Sequence, residues 1–209
     1  MTALFRATTR FLDRPLSAVS RGLVLLGIVA LVAGALLPLW RIQLVAPQYQ
    51  EGLTLEMYTH KIAAGNGGQD LFEINTLNHY IGMKPIVQAD FAEMTWMPFA
   101  IGVFALLGLR AVVMGRIGQL VDLGVLFVYF GAFSLGTFAY RLWSYGHHLD
   151  PHAPMRIAPF TPVVVGRQQI ANFVQTSLPL AGTFCMAGFI GLLVAALWTS
   201  IREARRDLR

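Results

Sequence analysis

His79 and Met83 lie four residues apart in the stretch Asn75-Thr76-Leu77-Asn78-His79-Tyr80-Ile81-Gly82-Met83-Lys84-Pro85. On a helix that spacing puts both side chains on one face. An imidazole and a thioether together suit a soft metal such as Cu(I). A denser set follows later: His147, His148, His152 and Met155 fall within nine positions, with Asp150 among them. Met57 and His60 form a smaller pair. All five histidines occur in two polar segments, 41–95 and 141–177. The competing reading is structural. His79 and Met83 then pack in a short interfacial helix, and the other histidines cap loops and hydrogen-bond the backbone.

Other chemistries find less support. The one cysteine, Cys185, sits in an apolar run, so no disulfide, C-x-x-C motif or C-x-x-C-H haem attachment can form within the chain. Zinc asks for His, Cys and carboxylate ligands at set spacing, and no H-E-x-x-H is present. Haem between helices needs histidines in or at the ends of spans, and only His147 and His148 are so placed. There is no G-x-x-x-x-G-K-[ST] loop, and Ser134, Ser144 and Ser177 lack a nucleophile context. The aromatic run Phe127, Tyr129, Phe130, Phe133, Phe138 and Tyr140 reads as packing and lipid contact rather than as a quinone site. The chain is therefore not expected to be an enzyme. Thioethers hold Cu(I) without competition from protons, and they survive an oxidising compartment where thiolates would pair.

The elements that must position these residues follow from composition. The 209 residues are 56% hydrophobic and 13% charged, against about 25% charged in soluble domains. The fold class expected is an all-α membrane protein of four spans with a small α+β cap from two external loops. The spans are read at 22–40, 96–114, 120–140 and 178–201. The first apolar run continues to Trp40, an interfacial anchor type, so it is read as a span and not as a cleaved signal. Pro98 fits a first helical turn, and Asp122 is expected to pair with Arg110 or Arg116. Residues 115–119 form a short turn. In the basic N-terminus, 1–21, Leu4, Phe5, Phe11, Leu12 and Leu16 suit a surface helix interrupted at Pro15.

Within 41–95, Arg41–Val45 and Leu53–Tyr58 alternate as strands do, and Leu71–Ile74 is a third strand candidate. Gly65-Asn66-Gly67-Gly68 marks a turn. Asn75 or Thr76 then caps a helix of about two turns that Lys84-Pro85 ends. The prolines of 141–177 argue for an extended, ordered loop.

Orientation follows from basic residues. The termini and short turn carry Arg6, Arg10, Arg14, Arg21, Arg110, Arg116, Arg202, Arg205, Arg206 and Arg209. The long loops carry only Arg41, Lys61, Lys84, Arg141, Arg156 and Arg167. The positive-inside rule then puts the N-terminus and the basic 202–209 tail in the cytoplasm and both loops outside. The formal charge of +5 is not a nucleic-acid signal, because the basic residues gather at the ends of apolar runs.

The stretches Ala46-Pro47-Gln48-Tyr49-x-Glu51-Gly52, Asn75-x-x-Asn78-His79-Tyr80-Ile81-Gly82-Met83-Lys84 and Leu149-Asp150-Pro151 with Pro159-Phe160-Thr161-Pro162 carry a resemblance. They resemble small four-span bacterial inner-membrane proteins encoded with maturation systems for copper enzymes, nitrous oxide reductase among them. The resemblance covers mainly the two external loops and defines no catalytic residues. It implies a copper-handling or assembly role on the periplasmic side, beside a lipid bilayer and a membrane or periplasmic protein partner. The expected site is then His79, Met83, His147, His148, His152 and Met155. The alternative is a scaffold subunit whose cap docks a partner and whose histidines are incidental.

Overall fold

The computed structural model describes residue 9, residues 11–170 and residues 172–206. The expected surface helix near the N-terminus lies largely outside the described residues. The chain forms two compact units, one from residues 1–35, 99–132 and 184–209, the other from residues 36–98 and 133–183. Four helices are long and apolar enough to cross a membrane: α1 (Ala18–Leu36), α3 (Glu93–Met114), α4 (Ile117–His147) and α5 (Ala181–Arg206). Between them lie a shorter helix, α2 (Gln69–Tyr80), and five strands.

The first unit is a helical bundle with an aromatic centre. Phe127 stands edge-on to Phe104 at 5.1 Å and to Phe189 at 4.8 Å, a favoured ring geometry. Gly108 lets Ile28 approach so closely that a Cβ there would lie 2.9 Å from its side chain. Ser20, fully buried, bonds the Ala196 carbonyl at 2.8 Å and the Ser200 hydroxyl at 2.7 Å. In contrast, Leu25, Val29, Leu106, Val113, Tyr129 and Val194 are exposed. Apolar side chains outside and hydroxyl pairs inside are what a bundle solvated by lipid presents. The Asp122 expectation needs correcting. Arg116 faces Asp13 at 3.7 Å instead, and among the described residues Asp122 makes no ion pair.

The second unit is built on an antiparallel sheet of order β3-β2-β1-β5-β4. Its strands are β1 (Trp40–Ala46), β2 (Tyr49–Met57), β3 (Ile62–Ala64), β4 (Gly166–Ile170) and β5 (Phe173–Pro179). The alternation in β1 turns Trp40, Ile42, Leu44 and Ala46 inward. β2 returns from β1 with Leu53 and Leu55 on the same buried face. β5 pairs with the other edge of β1, Ile42 opposite Ser177 and Leu44 opposite Gln175. The two long polar segments thus share one sheet. Trp40 is buried, its indole N–H donates to Ser177 Oγ at 2.8 Å, and its ring meets Phe138.

Several expected boundaries shift. The four long apolar helices and a small sheet are present as expected, but 173–179, read partly as loop and partly as span, is strand β5, and the next helix starts only at Ala181. α4 runs on past 140 to His147, because no proline intervenes and Arg141 finds an acid. Its guanidinium donates to Glu93 through Nε at 2.5 Å and Nη2 at 2.7 Å. The same pair extends α3 back to Glu93, so Pro98 lies inside that helix and not in its first turn.

Candidate functional site

Leu71–Ile74 is helix, not strand. α2 begins after Gly68, whose φ of +100° suits glycine alone among common residues. The buried Asp70 carboxylate in its first turn accepts the Thr54 backbone N–H and the Asn66 amide, both at 2.7 Å. Leu71, Ile74, Leu77 and Ile81 then recur at helical spacing and pack on the sheet with Leu44, Leu53, Leu55 and Phe173.

The helix also ends early, at Tyr80. Gly82 takes φ +79°, its N–H bonds His79 O at 3.2 Å, and the Met83 N–H bonds Asn78 O at 2.8 Å. This pair of bonds is a Schellman cap with glycine in the left-handed position. The one-face pairing of His79 with Met83 therefore fails, because Met83 lies beyond the helix. His79 is exposed, whereas Met83 is half-buried against the sheet core.

The second segment meets the first at this cap. The Asp150 N–H donates to Gly82 O at 2.8 Å, and the Met155 N–H donates to Tyr80 O at 2.9 Å. A Cβ on Gly82 would sit 2.8 Å from Asp150 O. Residues 150–155 are thereby held against the turn that carries His79. Asp150 Oδ1 accepts the His152 N–H at 2.8 Å, with the His152 ring at 3.3 Å. That backbone donor, helped by the imidazole and by His79, holds the Asp150 carboxyl below its usual 3.8. His152 and Met155 are exposed.

His147, the last residue of α4, and His148, in the bend just after it, sit apart from this junction in local role. Their Nδ1 atoms approach the Trp143 and Ser144 carbonyls at 2.9 and 3.0 Å, and His147 stacks on Trp143 at 4.6 Å. Among the described residues, their Nε2 atoms make no hydrogen bond. His60 is exposed near Thr59 and Tyr58. Among the described residues no three His, Cys, Asp or Glu side chains converge as a metal-holding group.

Met83 belongs instead to the wall of a cavity of about 80 Å³ in the sheet unit. Ile42, Leu55, Phe91, Phe138 and Leu142 are among the apolar residues that line it. Asn78 also lines it, is 4% exposed, and among the described residues has no hydrogen-bond partner for Nδ2. Asn78 gave no signal as a sequence feature, since an amide in a polar stretch reads as surface. Gly82 was more legible, because a glycine three positions before a proline is a helix-stop pattern.

No family model, curated protein or solved structure matches the chain.

Proposed function

We propose that this chain is a multi-pass bacterial inner-membrane accessory protein that holds or passes copper on the periplasmic face during assembly of a copper enzyme. Both termini are cytoplasmic in this reading, and the sheet unit is the periplasmic cap. The observation that carries it is the pair of backbone bonds from Asp150 to Gly82 and from Met155 to Tyr80. They tie the second loop to the turn bearing His79, so soft and imidazole donors of both loops share one exposed neighbourhood. His79, His152 and Met155 are the entry ligands, a low-coordinate set of the kind Cu(I) accepts. His147 and His148 offer Nε2 atoms as further stations, and the half-buried Met83 is not among the entry ligands. Nothing in this reading calls for a catalytic step.

A docking role has its own support. Tyr80, at the junction, and Phe72, two turns earlier on α2, are exposed at 53% and 66%, and exposed aromatic side chains are common anchors in protein interfaces. The two readings part on one experiment. His79→Ala with Met155→Ala in the membrane-extracted full chain is expected to lower bound copper while leaving partner co-purification intact. Loss of a co-purifying partner with unchanged copper content would favour docking and defeat the copper reading.

A further inference from the structure

We infer that the cavity behind Met83 is a binding site for a small, uncharged, apolar molecule that presents one carbonyl-type acceptor to Asn78. The cavity lies wholly within the sheet unit. Its volume of about 80 Å³ exceeds the roughly 10–15 Å³ that one water needs on a comparable measure. It therefore has room for several heavy atoms. Asn78, Arg141, Tyr145 and Gln175 also line it, but the surface it exposes is almost wholly apolar, with Ile42, Leu55, Phe91, Phe138 and Leu142 among its walls, so an apolar body gains where water does not.

Two polar facts narrow the chemistry. The one charged wall residue is Arg141, and its guanidinium is already engaged by both Glu93 oxygens and lies over the Phe91 ring. A carboxylate or phosphate ligand would lose its hydration and meet a cation already neutralised. Asn78 supplies the opposite need. Its Nδ2 is a buried donor without an acceptor among the described residues, a costly arrangement that a ligand oxygen would relieve. An aliphatic or cyclic ketone or a small ester has that oxygen on an otherwise apolar frame. Asn78 can lose its side chain without losing the helix cap, since the cap uses only its backbone carbonyl. This inference is independent of the copper reading and survives its failure.

The test uses the full chain in lipid nanodiscs with two probes matched in shape, cyclohexanone and methylcyclohexane. Binding is read as a saturable rise of the thermal midpoint with probe concentration. Wild type is expected to bind both. Asn78→Leu should weaken the ketone about tenfold and leave the hydrocarbon unchanged, as expected for one lost hydrogen bond. Leu142→Phe, which fills the cavity from α4, should abolish both. A long-chain ketone dissolved in the bilayer provides a further arm. If it displaces cyclohexanone, the natural ligand reaches the site from the membrane; if cyclohexanone alone binds, the ligand comes from the aqueous side. Absence of saturable binding in wild type would overturn the inference. So would equal loss of both probes in a folded Asn78→Leu, or undiminished binding in a folded Leu142→Phe.

Discussion

Gly82 carries two constraints at once. Its φ of +79° is one that a side chain resists, and Asp150 stands where a Cβ would go. Gly82→Ala is therefore expected to cost at least about 1–2 kcal/mol from the left-handed angle alone. Because the clash is with the docked loop, amide exchange at 150–155 should rise more than exchange in β1. Uniform protection of both segments in the variant would contradict this placement. Tyr49 gives a second residue-scale expectation. Its hydroxyl donates to Glu73, and that bond raises the phenol above its usual 10.0. A raised folded value means the contribution is complete below pH 10 and is lost as pH climbs through the folded value. Tyr49→Phe should then be less stable than wild type at neutral pH, with the gap closing in strong alkali. A gap that stays constant with pH would count against the bond. Of the candidate ligands, His79, His152 and Met155 were legible as residue types. Their neighbourhood was not, because it depends on backbone bonds between residues 80–82 and 150–155.

At the scale of elements, the Glu93–Arg141 pair joins the first turn of α3 to α4. Its side chains are only 16% and 27% exposed, so it lies between a surface pair worth little and a buried pair whose breakage is severe. Glu93→Ala should destabilise the sheet unit by about 1–3 kcal/mol. Arg141→Met in the same chain should recover part of that loss by removing the stranded cation. Thermal unfolding of the single and double variants measures it, and strict additivity would show that the two side chains do not interact. β1 and β2 could be read from the sequence because apolar and polar residues alternate in them. β5 could not: its inward side chains include Gln175 and Ser177, so its buried face is polar to the eye. Pairing with β1, and the Trp40 indole on Ser177, make that face acceptable. α2 was misread for a related reason. Four residues, Leu71–Ile74, fit either period, and only Leu77 and Ile81 further on settle it as helical.

At the scale of the whole molecule, four apolar helices were legible from length and composition, since lipid-facing surfaces need no partner to be recognised. Orientation rests on the arginines and is open to a direct check. In a Cys185→Ala background, a cysteine at the exposed Lys61 should react with a membrane-impermeant maleimide added to intact spheroplasts. One at Arg202 should react only after the membrane is opened. The opposite pattern would invert the topology and remove the oxidising compartment on which the thioether argument depends. The central claim is that donors of both polar segments hold Cu(I) at the α2 cap. Its most direct measurement is a Cu(I) competition titration of the purified chain against a calibrated chelator, in wild type and in His79→Ala/Met155→Ala. The expected result is about one tightly held Cu(I) per chain in wild type and a loss of at least about tenfold in affinity in the variant. Copper at background in wild type, or equal affinity in both proteins, would contradict it.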